Sequence, residues 1–190
     1  MVRSRKSTLT FDSLFFATPE QKIMRFLFNS PTTSFPIRAM STRLKGVRGL
    51  GGAEGLTKIL TELHEAGMVS FVDHDRAVRL VDDHCYVQVL KTFSALCDLE
   101  GLKASLEPIS SKGILFGSHA QGRACTDAEY DLFVVTSIPE EVRKTASHHP
   151  LGKLIALTAW TPEHYQDMEK KDKKLALKLA TGIVLWGESW

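Results

Sequence analysis

The stretch Gly113-Ile114-Leu115-Phe116-Gly117-Ser118-His119-Ala120-Gln121-Gly122, continuing to Asp127-Ala128-Glu129-Tyr130-Asp131-Leu132-Phe133-Val134-Val135, decides how this chain is read. It contains two apolar runs of strand length. A Gly-Ser pair closes the first, and two carboxylates open the second. The pattern predicts a strand, a tight turn, a short helical segment and a second strand. Two residues apart on a strand, Glu129 and Asp131 are expected to point to one face.

The spacing carries more than the elements do. Gly117-Ser118 is followed by ten residues, 119–128, and then by Glu129-Tyr130-Asp131. This resembles the minimal nucleotidyltransferases of the DNA polymerase β superfamily, whose signature is Gly-Ser, ten residues and Asp-x-Asp. The resemblance covers residues 83–190. It includes the helix start Thr161-Pro162-Glu163-His164-Tyr165 and the closing Gly182-Ile183-Val184-Leu185-Trp186-Gly187. It implies a small mixed-sheet domain that handles a nucleoside triphosphate with Mg²⁺. Glu129 and Asp131 would be the metal-holding and catalytic carboxylates. Gly117, Ser118, His119, Gln121 and Arg123 would meet the nucleotide, because a glycine turn lets backbone N–H groups approach a phosphate closely.

Three departures from the family pattern bear on activity. Glu129 stands where the family has Asp, which moves the carboxylate by about one bond length, and misplacement by about 1 Å can cost on the order of 10²-fold in rate. The following strand, Lys153-Leu154-Ile155-Ala156-Leu157-Thr158-Ala159-Trp160, has no Asp or Glu, and Ala156 occupies the place of the family's third carboxylate. His119 and Gln121 stand where Arg is common, so fixed positive charge is lost unless Arg123 supplies it.

Upstream, Thr18-Pro19-Glu20-Gln21 is a helix start, with a capping Thr, a proline at the first position and Gln three residues after the cap. A second helix is predicted over 37–44 and a third over 53–66, stopped by Gly67. The runs 68–72 and 77–81 alternate as strands around the turn Asp73-His74-Asp75-Arg76. Three helices and a hairpin, with the phrase LTKILTELHEAGMVSFV over 56–72, resemble a winged helix-turn-helix across residues 18–82. That resemblance implies DNA binding, with the third helix in the major groove. Arg38, Arg43, Lys45, Arg48 and Lys58 are the candidate phosphate contacts, since the duplex is a dense line of negative charge. The Gly-rich connection through Gly46, Gly49, Gly51 and Gly52 departs from the pattern.

Residues 1–17 read as a loose arm with the basic run Arg3-Ser4-Arg5-Lys6, whose Phe11, Leu14, Phe15 and Phe16 can pack on the body. A longer helix, His84–Leu99 within a connecting segment 83–101, joins the halves. His148-His149-Pro150 reads as an exposed loop, residues 169–174 (EKKDKK) as a solvated helix face, and Trp160, Trp186 and Trp190 as packing residues. His84-Cys85 alone is too few ligands for a metal.

The chain has 190 residues, 43% hydrophobic and 24% charged, which excludes wholesale disorder and fibrous repeats. Its formal charge of +2 conceals an asymmetry: residues 1–82 carry a net +4 and residues 83–190 a net −2. Three cysteines without CxxC spacing argue against a disulfide framework and for a reducing, cytoplasmic setting. No run reaches the roughly 18 apolar residues of a membrane span. The sequence therefore predicts an α+β or α/β chain, with an arm, a winged helix and a nucleotidyltransferase-like domain. Its expected role is DNA binding in transcription regulation, with the second domain binding nucleotide or catalytically degenerate. The alternatives are an active transferase acting on a protein, RNA or small-molecule hydroxyl, in the manner of an antitoxin, or an interaction module with both sites vestigial. A protein partner and a homodimer are compatible with each.

Overall fold

The computed structural model describes residues 9–167 and 172–188. The basic run Arg3–Lys6, residues 169–171 and Trp190, all singled out above, lie outside the described residues. The chain is a mixed α+β molecule with two small sheets.

Within residues 9–17 the arm is not a loose segment. Residues Phe11–Phe15 form helix α1, capped reciprocally by Thr10 and Ser13. It is tied to the body by the Phe11 N–H, which donates to Glu100, and by Asp12, which pairs with Arg25 at 2.9 Å. Of the four arm apolar residues, only Phe16 is fully buried.

Helix α2 (Pro19–Phe28) begins at Thr18 with the capping box that its sequence specifies. A two-residue strand β1 (Phe35–Pro36) leads into α3 (Ile37–Arg43), and the Gly-rich connection leads into α4 (Gly52–Glu65). Strands β2 (Val69–Val72) and β3 (Ala77–Leu80) form a hairpin. Its turn holds Asp73, His74 and Asp75 at positive φ, a conformation that Asp and His adopt more readily than bulky residues do. Strand β1 pairs with β3, Phe35 opposite Val78, so the sheet order is β1-β3-β2. Ile23, Leu27, Met40, Leu56, Leu60 and Val78 form the core beneath it.

Helix α5 (Cys85–Leu106) runs five residues past the end of the predicted connecting segment. The reason is packing on two cores in succession. Val87, Leu90, Phe93 and Cys97 pack into the first core, whereas Leu99, Leu102 and Leu106 pack into the second. A helix apolar on more than one face is held by burial rather than by propensity.

The second sheet contains β4 (Lys112–Phe116), β5 (Tyr130–Val135), β6 (Ile155–Trp160) and β7 (Ile183–Trp186), in the order β6-β5-β4-β7. β4 is antiparallel to β5 and β7, and β5 is parallel to β6. The parallel pair needs a crossover, which α7 (Pro139–His148) supplies. The short α6 (Gly117–Ala120) follows β4, and α8 (Pro162–Gln166) and α9 (Lys173–Ala180) precede β7. Leu115, Leu132 and Val134 face α5 and α7, and Ile114, Phe133 and Val135 face α9. Trp186 lies flat over Gly113, where a Cβ would come within 2.3 Å of its ring. Trp160 meets Phe133 edge-on.

Candidate functional site

The turn after β4 is built around one close approach. Gly117 has φ +71, and a Cβ there would lie 2.1 Å from the Asp131 carboxylate. Asp131 sits opposite Phe116 in the β4–β5 register, so its side chain folds over the turn. No other residue type meets both demands: the left-handed backbone disfavours a side chain, and the carboxylate occupies its space. Gly117, Ser118 and Asp131 therefore form one unit on the β5 face shared with Phe133.

Glu129 differs from the expectation. β5 starts at Tyr130, so Glu129 lies just ahead of the strand and is exposed. In the β5–β6 register Ala156 stands directly opposite Asp131. Among the described residues, no group of three or more His, Cys, Asp or Glu side chains is arranged to hold a metal ion.

His119 leaves this unit. Its ring stacks on Tyr130 at 3.9 Å with an interplanar angle of 9°, and Nε2 donates to the Ala128 carbonyl at 3.1 Å. Tyr130 packs with Leu132 and Val134, on the sheet face away from Asp131. Burial lowers the His119 pKa below its ordinary value, partly offset by the Ala128 carbonyl. Gln121 and Arg123 are exposed, and the Arg123 N–H donates to the Ser118 carbonyl at 2.8 Å, closing the turn.

Residues outside the sequence motif also shape the site. Helix α5 carries Lys91, Ser94 and Asp98 at i, i+3 and i+7, a polar stripe in an apolar helix. Lys91, whose side chain is 4% exposed, pairs with Asp82 just past the hairpin and donates to the Ala124 carbonyl at 2.9 Å. It thereby joins the first sheet to the loop between Gly117 and β5. Asp98 pairs with Arg25 of α2 and accepts from the Tyr130 hydroxyl at 3.0 Å. Burial and the neighbouring Asp98 carboxylate push the Tyr130 phenol well above its ordinary value, so it stays a donor. Between these pairs lies a cavity of about 220 Å³, lined in part by Asn29, Lys91, Asp98, His119, Asp127 and Tyr130. The 3.6-residue spacing of the stripe was the available signal. Its partners, distant in sequence, left none.

Gly122 fixes the same loop against α5. Its φ is +66, and a Cβ would lie 2.0 Å from the Gln88 carbonyl oxygen.

In the other module, Arg38, Arg43, Lys45 and Arg48 are exposed on α3 and the connection after it. None has an ion-pair partner among the described residues. Lys58 stands apart on α4, 4.0 Å from Glu62, and the exposed face of α4 also carries Glu54 and Glu65. A concavity lined by Lys45, Gly46, Gly49 and Gly51 lies between α3 and α4. No helix of the described residues is long and apolar enough to cross a membrane.

No family model, curated protein or solved structure matches the chain.

Proposed function

We propose that the chain is a DNA-binding regulator made of a winged helix and a nucleotidyltransferase-like module, the second of which binds a nucleotide without efficient transfer. One observation carries the first half. From Ile37 to Ala53 the chain has four exposed cations and no carboxylate. The helix–strand–helix–helix–hairpin order, with β1 on β3, supports the winged-helix reading. Charge revises how such a module would meet DNA. Three carboxylates on the exposed face of α4 oppose a close approach to phosphate, so α3 and the glycine connection make the backbone contacts.

The test is fluorescence anisotropy with a mixed-sequence duplex between 50 and 200 mM salt (roughly the range over which counterion release is read). Log affinity is expected to fall linearly with log salt. Arg43→Ala and Arg48→Ala should each flatten the slope by about 1, and Lys58→Ala should leave it unchanged. No salt-dependent binding at the low-salt end would overturn the reading.

For the second module, the enclosed turn at Gly117 and the Asp131 carboxylate over it favour a phosphate-holding role. Glu129 and Asp131, with the nucleotide's own oxygens, are donors that fit one Mg²⁺, which takes one or two carboxylates plus phosphate. When bound it would neutralise phosphate charge. Ala156 opposite Asp131 is what weighs against efficient transfer, because no carboxylate from β6 shares the site. Calorimetry with a nucleoside triphosphate and Mg²⁺ should show binding that Asp131→Asn abolishes. Rapid transfer of label to a protein, RNA or small-molecule acceptor, lost with the same variant, would replace this reading with the active-enzyme one.

A further inference from the structure

Helix α1 buries none of its residues, and the apolar ones point outward: Leu9 just before it is 73% exposed, Phe11 56%, Leu14 50% and Phe15 47%. They are not scattered. Phe11 and Phe15 stack at 6.3 Å, and Phe15 meets Phe93 of α5 edge-on at 5.1 Å. Phe11 and Phe93 in turn form one end of an apolar groove. Its walls are Leu96 and Cys97 of α5 and Ile183, Val184 and Leu185 of β7. The groove holds about 240 Å³, and its lining is mostly apolar. Burial pushes the Cys97 thiol up to about 11, as suits a packing residue rather than a reactive one.

β7 is the outer strand of the second sheet. Its sequence, Ile-Val-Leu-Trp, has no charge and no proline. Edge strands exposed in a monomer are ordinarily blunted by such residues. An uncharged edge, a groove beside it and a projecting apolar helix next to both form one continuous surface.

We propose that this surface is a self-association interface, in which the α1 knob of one copy seats in the α5–β7 groove of a second copy of this chain. Three features of the surface select that occupant. It holds both a projection and a complementary recess, so a two-fold axis satisfies each twice. Its rim has one carboxylate, Glu100, and one ammonium, Lys103, so two copies face each other without net repulsion. The four projecting side chains alone expose on the order of 400–500 Å², near the upper end of what a monomer leaves open. With the groove walls added, the face is the size of a weak, concentration-dependent contact rather than an obligate one.

Sedimentation velocity on the full chain from about 1 to 100 µM, the range that resolves ordinary dimer affinities, tests this. The expected result is a dimer whose population rises with concentration. Phe11→Asp together with Leu14→Asp should weaken dimerisation at least tenfold. Both side chains are exposed, so the thermal midpoint of the monomer should hold, which separates lost association from lost folding. A second arm removes residues 1–8 and should leave the dimer intact. A monomer across the whole range, a double variant as dimeric as the parent, or a dimer that appears only after residues 1–8 are removed would each overturn the proposal.

Discussion

The two candidate sites are held in opposite ways. The glycine turn at Gly117–Gly122 is packed at both ends: Asp131 lies over Gly117, the Gln88 carbonyl stands against Gly122, and Lys91 holds Ala124 just beyond it. The glycine connection at Gly46–Gly52 is looser: a Cβ at Gly49 or Gly51 would lie 3.2 Å from Pro19 or 3.3 Å from Gly55, with no backbone oxygen against it. Gly46 and Gly52 have positive φ, yet a Cβ at either would meet nothing within 4 Å. The difference matches what each proposed ligand would require. A transferred or bound phosphate needs fixed donors at set distances. A phosphate backbone read through charge tolerates a looser surface, because the Coulomb term falls slowly with distance.

The sharpest way to break this comparison is one substitution in each loop. Gly122→Ala places a methyl group against a backbone oxygen and is expected to cost roughly 3 kcal/mol or more in unfolding free energy. Gly46→Ala meets no atom and should cost about 1 kcal/mol, from the positive φ alone. Equal losses in urea titrations of the two variants would mean that the loops are equally constrained.

Next in size is Lys91→Met. It leaves the Ala124 carbonyl without its donor and Asp82 without its cation. Because Asp82 is one-third exposed, the expected loss is about 2–3 kcal/mol rather than the full value for a buried pair. Lys91→Met combined with Asp82→Asn should recover part of it. A thermal melt in which the double variant is no better than the single would remove Lys91 as the tie between the hairpin and the loop that precedes β5.

A smaller effect concerns pH. The folded His119 pKa lies below its ordinary value of 6.5, so folding disfavours its protonation. The unfolded chain binds this proton first as pH falls. The stability contribution is therefore complete above pH 6.5 and is lost as pH descends from there through the folded pKa. His119→Asn should flatten that part of the stability–pH curve while leaving duplex affinity unchanged. An unaltered curve would show that the Tyr130 stack does not shield the ring.

The smallest is Lys58→Ala. An exposed i, i+4 pair at 4.0 Å contributes about 0.5 kcal/mol or less. A change of that size in stability, with none in the salt slope for duplex binding, keeps α4 apart from the basic face formed by α3 and the connection.

What was legible in the sequence was local. Thr18 and Gln21 are three residues apart, and the capping box they form follows from that spacing. The same holds for Thr161 before α8, for the hairpin turn at Asp73–Asp75 and for the glycine turn between β4 and α6. The strand period places Phe133 and Val135 on Asp131's face, whereas the expected face-mate Glu129 lies ahead of the strand. The strand boundary at Tyr130 was not legible, because Glu129 has the same spacing on either side of it.

The sequence by itself thus determined the capped and periodic elements, though not α1, β1 or α7, together with the glycine turn after β4 and the segregation of charge along the chain, since each depends on residues within about one or two turns of one another. Only the tertiary structure decided that His119 turns to Tyr130 rather than toward Asp131, and that Ala156 stands opposite Asp131. It also decided that Arg25 meets Asp98 across 73 residues, and that Lys91 joins Asp82 to Ala124. Those pairings arise where two cores close on one helix, and a buried charge takes whatever partner the packing delivers. Periodicity marks Lys91 and Asp98 as unusual on α5, but it carries no record of what lies across from them.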